Sequence, residues 1–312
     1  MPIQVEGLRH TLAPGTPFAR PVLRGVDLEV RDGEILGVTG PGQAGKSTLA
    51  QFLNALLVPR PGEGRVVVGG VDTRAGRDLR IRVRRQVGLV FQAPEDQVFE
   101  RTALEDVALG PRAQGVPPEE ALRRARVALD RAGLPWQTFG HRAPHTLSGG
   151  EKRRLAVAGV LAMEPAVLVL DEPTVGLDPA GREELAGMVR SLRDGAGVSV
   201  VLISSDLELI AALADRVAVL AGGRVALCGT PREVFGRPDH LRELGLTPLG
   251  VTTFLEGLRN CGLPVRLDCL TEAEAAEEVA RVLARLRADT RVGTGVAGED
   301  GAGEGGIGGG PA

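Results

Sequence analysis

Hydrophobic residues in this chain fall into short unbroken runs separated by longer stretches with helical spacing. Ile35 to Thr39, Val167 to Leu170 and Val198 to Ile203 are continuous apolar runs of strand length, the pattern of parallel strands covered on both faces. Val66 to Val68 and Val87 to Phe91 read as further short strands, and residues 3–35 as short strands with a turn at Pro14-Gly15. Ser47 to Leu57 reads as a helix closed by Pro59 and Pro61. From Glu100 to Ala143 the pattern turns helical, and Pro117-Pro118 opens the segment Glu119 to Ala132. Ser148 is placed to cap a helix running through Val160. Gly181 to Leu192 is helical, and Val217 to Leu220 with Arg224 to Cys228 form a hairpin around Gly222-Gly223. Strands alternating with helices predict an α/β fold built on a parallel sheet, with an N-terminal antiparallel β part and a helical subdomain, about residues 93–165, inserted into it.

Residues 231–290 read as a C-terminal helical extension. Within it Thr271 to Arg287 is amphipathic, with Ala275, Val279, Val282 and Leu283 on one side. That stripe suits core packing or a docked partner. From Arg291 glycine dominates, so residues 291–312 are expected to be a disordered tail. The main domain is expected to span 1–230.

Composition narrows the function by exclusion. A net charge of −3 over 312 residues gives no electrostatic support for nucleic-acid binding. The basic run Arg77 to Arg85 is local and reads as a solvated face. Cys228, Cys261 and Cys269 lack metal-ligand spacing and fit a reducing compartment. The N-terminus has no charged-then-apolar leader. No run approaches the roughly 18 consecutive apolar residues of a spanning helix. The best candidate, Leu155 to Leu170, is broken by Glu164 and Pro165.

Three motifs carry the chemistry. Gly40-Pro41-Gly42-Gln43-Ala44-Gly45-Lys46-Ser47, followed by Thr48, sits between a strand and a helix, the setting a phosphate-binding loop requires. Glycines let backbone N–H groups turn toward phosphate oxygens, and the helix points its positive end at the same anion. Val167 to Leu170 runs into the paired carboxylates Asp171 and Glu172. Ser148-Gly149-Gly150-Glu151 opens a helix with small residues, so its free N–H groups can be approached closely. A lone Gln92 ends the strand Val87 to Phe91.

In this order and spacing the motifs resemble the ATP-binding-cassette (ABC) ATPases, across roughly residues 3–235. The resemblance implies a P-loop fold with a RecA-like core and an ATPase whose sites form between two subunits. Lys46 would reach the β- and γ-phosphates of ATP, and Ser47 would ligate Mg²⁺. Asp171 would hold Mg²⁺ through water, and Glu172 would act as general base on the attacking water. Gln92 would sense Mg²⁺ and that water. Ser148, Gly149 and Gly150 would bind the γ-phosphate of the ATP held by the opposite subunit, and Asp178 would sit at the subunit boundary.

Two positions depart from the family pattern. Ser205, in Val201-Leu202-Ile203-Ser204-Ser205-Asp206, stands where a switch histidine is expected, and none of His10, His141, His145 and His240 falls there. Serine can donate a hydrogen bond to the γ-phosphate but carries no charge; losing one such donor typically costs about 10²–10³ in rate. Leu12 stands where an aromatic residue usually stacks on adenine, and the chain has no tyrosine. Phe18 and His10 are the substitutes within reach. Both departures affect the composite site built on this chain's own Gly40 loop, so a paralogous heterodimer with one weakened and one competent site is expected, with a homodimer as the alternative.

Finer matches are similar to the ATPases of energy-coupling-factor transporters, which import vitamins or transition-metal ions such as cobalt and nickel. They are Pro14-Gly15-Thr16-Pro17-Phe18, the stretch Phe91 to Phe99, Glu105 to Pro111, Ser148 to Pro165, and the region around Gly262-Leu263-Pro264 and Leu270-Thr271. Glu95, Asp96 and Gln97 would meet a cytoplasmic helix of a transmembrane coupling subunit. A separate substrate-binding membrane protein and a peripheral position on the cytoplasmic face are implied. Three rival readings stand beside this one. A DNA-repair ABC protein needs a long coiled-coil insertion and a translation factor needs two cassettes; neither is in the chain. A nucleotide-binding regulatory module with little hydrolysis is the remaining alternative, because of Ser205.

Overall fold

A computed structural model describes residues 1–92 and 100–293. The segment carrying Glu95, Asp96 and Gln97, and the glycine-rich tail beyond 293, lie outside the described residues.

Among these residues the strands make two sheets. The first is antiparallel, in the order β2-β1-β4-β5, from β1 (Ile3–Leu12), β2 (Arg20–Val30), β4 (Arg65–Val68) and β5 (Val71–Asp72). The second has the order β10-β9-β3-β8-β7-β6, from β3 (Ile35–Thr39), β6 (Val87–Val90), β7 (Val167–Asp171), β8 (Ser199–Ile203), β9 (Arg216–Ala221) and β10 (Arg224–Gly229). Its strands are parallel except β10, which returns antiparallel beside β9. The N-terminal strands are long rather than short. β1 and β2 pair along almost their whole length, but register shifts around Gly7, which has φ 55°, break the alternation that would betray one long strand.

The unbroken apolar runs are explained by two cores. Val167, Val169, Val201 and Ile203 face a core closed by the antiparallel sheet and helix α1 (Lys46–Leu53). Leu168, Leu170, Val200 and Leu202 face the opposite core, shared with α6 (Gly149–Leu161), α7 (Pro179–Ala196) and α8 (Leu207–Leu213). A period of two then demands apolar residues at every position. Helix α2 (Arg77–Gln86) buries only Val83, so its arginines are the solvated face expected of the basic run. Helices α3 (Ala103–Ala113), α4 (Pro118–Arg131) and α6 pack on one another, with the short α5 (Trp136–Phe139) beside α3 and α4.

The C-terminal helices divide between two cores. Helices α9 (Pro231–Phe235) and α10 (Pro238–Glu243) place Val234, Phe235 and Leu241 in the main core. Helices α11 (Gly250–Asn260) and α12 (Glu272–Gly293) close a separate small cluster of Leu255, Val265, Cys269, Ala275 and Val282. Of the predicted α12 stripe, Ala275 and Val282 are buried, Val279 is half-buried and Leu283 is 41% exposed.

Candidate functional site

Four strand ends generate the site. In the parallel sheet β3, β8, β7 and β6 are neighbours, and their C-terminal ends lead into the Gly40 loop, Ser204-Ser205, Glu172 and Phe91-Gln92 respectively. Groups scattered over 160 residues of sequence thus meet at one sheet edge, where open α/β sheets place their ligands.

The Gly40 loop needs its glycines for steric reasons. Gly40 has φ 152°, and a Cβ there would lie 2.0 Å from the carbonyl oxygen of Leu220. Gly45, at φ 102°, would meet Val22 and Leu23 at 2.9 and 2.7 Å. Gly45 is also the N-cap of α1 and offers no capping side chain, which leaves the first N–H groups of the helix free for an anion. The Lys46 ammonium bonds to the carbonyls of Gly40 and Pro41 at 2.7 and 3.2 Å, so its charge is held over the loop. A pocket of about 390 Å³ opens here, lined by Gly42, Gln43, Ala44, Gly45, Lys46, Ser47, Thr48, Gln92 and Glu172 together with Leu12, Arg20 and Val22.

The two carboxylates sit in different surroundings. Burial pushes the Asp171 carboxyl above the ordinary range and the charge of Glu172 adds to this, while a hydrogen bond from Ser47 and the charge of Lys46 oppose it. Its Oδ1 is buried without a hydrogen-bond partner. An orphaned carboxylate oxygen beside a hydroxyl is a donor set that fits a hard divalent cation. Glu172 has φ 48°, a left-handed conformation costly for a non-glycine residue, held by its N–H bond to the Ile203 carbonyl at 2.8 Å. That twist turns its side chain back toward β8, where Oε2 accepts hydrogen bonds from the backbone N–H and the hydroxyl of Ser205, both at 3.0 Å.

The signature residues lie elsewhere. Ser148 caps α6 in a capping box with Glu151, as expected. Neither Ser148, Gly149 nor Gly150 lines the Gly40 pocket. A Cβ on Gly149 would meet nothing within 4 Å, and one on Gly150 would make ordinary contact with Leu177. Within one chain these glycines are not sterically required, so their smallness answers to something outside it. Asp178 is exposed and caps α7 through the Gly181 N–H at 2.8 Å. Of the suggested substitutes for an adenine-stacking aromatic, neither lines the pocket. His10 packs edge-on to Phe52, and Phe18 is 84% exposed.

One residue of the site, within the matched stretch Ser148 to Pro165, was given no role by the sequence reading. Arg153, on the buried side of α6, is 8% exposed with no carboxylate partner among the described residues. Its guanidinium donates to the carbonyls of Pro173 and Val175, just past Glu172, and to that of Gln92 at 3.4 Å. The signal available was an arginine on the apolar face of an otherwise amphipathic turn.

Comparison with known proteins agrees with this geometry. The family described as ABC transporter matches residues 23–175. The chain is 47% identical to the energy-coupling factor transporter ATP-binding protein EcfA2 of Symbiobacterium thermophilum over 285 residues, 91% of this chain and 97% of the relative. It is 46% identical to EcfA1 of the same organism over 287 residues, 91% and 98% of the two chains. Among solved structures, cbiO1 from Clostridium perfringens, part of the ABC transporter complex cbiONQ, matches with a TM-score of 0.68 at 33% identity, covering 77% of this chain and 93% of that one. The dimeric ATP-binding cassette MJ0796 in a post-hydrolysis state with ADP and Pi matches with a TM-score of 0.66 at 28% identity, covering 73% and 98%. Fold and site together define an ABC ATPase coupled to transmembrane transport. Within that class, the chain belongs to the ATP-binding proteins of energy-coupling factor transporters.

Proposed function

We propose that this chain is the ATP-binding and hydrolysing subunit of an energy-coupling-factor importer for a transition-metal ion or a vitamin, working through ATP-driven closure of a dimer. The observation that supports this reading is the separation within one chain of the Gly40 pocket from the exposed Ser148-Gly149-Gly150 helix end. The Gly40 pocket has Gln92 and Glu172 but lacks the Ser148-Gly149-Gly150 helix end, which is free on the surface. Each half is completed by the complementary half of a second cassette. ATP then bridges the subunits, and loss of the γ-phosphate releases them.

In the completed site Lys46 and the loop N–H groups hold the phosphates, and Glu172 takes the proton of the attacking water. Ser47 and Asp171 would hold Mg²⁺, with Gln92 beside it; the ion when bound neutralises the phosphate charge. Gln92 and the helices of residues 93–165 pass the closure to a transmembrane coupling subunit, and a separate membrane protein recognises the cargo. The 1–230 cassette does this work, with residues 231–290 as an appended extension. No nucleic acid is involved. Among the described residues no helix is long and apolar enough to cross a membrane, which agrees with a peripheral position on the cytoplasmic face. The partner ATPase is a paralogue, because one organism carries relatives of both kinds, matching this chain about equally.

A second reading, a nucleotide-binding regulatory module with little hydrolysis, is favoured by Ser205 in place of histidine. Glu172→Gln separates the two. In the purified transporter complex the change should abolish ATP turnover while leaving ATP binding intact. Unchanged phosphate release would support the regulatory reading.

A further inference from the structure

We infer that Arg20, with Leu12 beside it, forms the base-binding end of the nucleotide pocket, the Arg20 guanidinium stacking on the purine in place of an aromatic ring. This inference rests on the ATP-binding reading of the pocket. Three observations on the chain itself carry it.

The pocket has a defined polarity. Its phosphate end is the Gly40 loop and the start of α1. Val22 packs against Gly45, so the β2 strand begins at that end. Arg20 is two residues earlier on the same face of β2, about 7 Å farther out. Register pairs it with Leu12, the last residue of β1, and both line the pocket. The part of a nucleotide that lies beyond its phosphates therefore meets these two side chains.

The chemistry at that end is then limited to what Leu12 and Arg20 can offer. No aromatic side chain lines the pocket among the described residues. Leu12 is 47% exposed and offers a small apolar contact to a flat ring. Arg20 is exposed, and its side chain makes no hydrogen bond or ion pair among the described residues. Several other arginines of the cassette are committed: Arg153 to carbonyls, Arg216 to Glu34, Arg84 to Ala55. A free, planar, weakly hydrated cation is suited to lie over the π face of a base.

Such a contact reads ring area rather than the Watson–Crick edge, so it selects purine over a bare triphosphate chain without distinguishing adenine from guanine. The test is isothermal titration of the full chain and its Arg20→Ala and Arg20→Trp variants with ATP, GTP and inorganic tripolyphosphate. Arg20→Ala should weaken ATP and GTP alike by about 3- to 30-fold and leave tripolyphosphate unchanged. Arg20→Trp should restore or exceed the original ATP affinity. Equal losses for ATP and tripolyphosphate would make Arg20 a phosphate ligand and overturn the inference. So would an ATP affinity indifferent to Arg20→Ala. Failure of the unsubstituted chain to bind ATP and tripolyphosphate would instead sink the nucleotide reading of the pocket, and this inference with it. Arg20 starts an exposed strand end, so unfolding of the variants, read by circular dichroism, is not expected.

Discussion

Ser205 holds Glu172 by two hydrogen bonds to a single carboxylate oxygen, one from its backbone N–H and one from its hydroxyl. The position expected to lack a histidine's γ-phosphate contact is therefore occupied by a residue that orients Glu172, the proposed general base. Any residue at 205 supplies the backbone donor, but the hydroxyl donor belongs to serine. Ser205→Ala should keep one bond and lose the other. A hydrogen bond to a charged group contributes about 1.5–3 kcal/mol, so turnover by the assembled complex should fall roughly 10- to 100-fold, with nucleotide affinity unchanged. Ser205→Thr should recover most of the loss. Steady-state phosphate release measured beside ATP titration checks this, and a change confined to affinity would place Ser205 on the phosphate instead.

Arg153 ties three separate parts of the site together. Its helix begins at the signature, and its guanidinium reaches both the loop after Glu172 and the backbone of Gln92. A buried cation satisfied only by carbonyls is sensitive to replacement, because removing it leaves those acceptors unpaired at about 1–3 kcal/mol each. Arg153→Met should lower thermal stability and reduce turnover, while the Gly40 loop, which it does not touch, still binds ATP. Arg153→Lys should recover stability more than turnover, because one ammonium cannot span acceptors that the planar fork bridges. Differential scanning calorimetry paired with turnover of the complex distinguishes the two effects.

The glycines of the two phosphate motifs make opposite predictions. Gly40→Ala would drive a Cβ into the Leu220 carbonyl of the neighbouring strand β9. The clash is with backbone, so it should cost several kcal/mol, on the order of 3 or more, or prevent folding. Gly149→Ala has open space in the isolated chain and is the first residue of α6, where alanine is tolerated. That variant should be as stable as the original or slightly more so. Its ATPase activity in the complex should nevertheless fall sharply, because in the proposed shared site a partner-held phosphate would approach that backbone. A chemical denaturation curve and a turnover assay on each variant test the contrast. Full activity of Gly149→Ala would remove the argument for a shared site.

How far this was legible beforehand differs between elements. The runs Val167 to Leu170 and Val198 to Ile203 announced two-sided burial because every residue had to be apolar. The Ser148 cap was legible because capping is local, a matter of three residues. Strand order was not local. Nothing between Thr39 and Ser205 states that β8 lies between β3 and β7, and only that order brings Ser205 to Glu172. The full length of β1 was hidden by the irregularity at Gly7. Arg153 was given no role because its three acceptors are main-chain carbonyls, which have no identity in a sequence.

The C-terminal extension has an acid-sensitive clasp in Glu278. Its side chain is only 1% exposed and is gripped by Arg281, one turn along α12, and by the Arg266 side chain and N–H at 3.0 Å. The hydrogen bond from Arg281 is the foremost reason that its pKa falls from the ordinary 4.5 to about 2, against an opposing effect of burial. A carboxylate whose folded pKa is depressed contributes stability that is present above its unfolded value and is lost as pH falls through the folded one. The clasp should therefore be intact above about pH 4.5 and weaken progressively toward pH 2. Because the small core of Leu255, Val265, Cys269, Ala275 and Val282 is separate from the main one, its helix should loosen first. Hydrogen exchange of α12 amides, followed from pH 6 down to about 2.5 and corrected for intrinsic rates, should show protection fading ahead of that in the β7 and β8 strands. In Glu278→Gln the amides should be less protected at pH 6, and the additional loss through this window should shrink. A pH profile in that variant identical to the original would mean that another group controls the acid response.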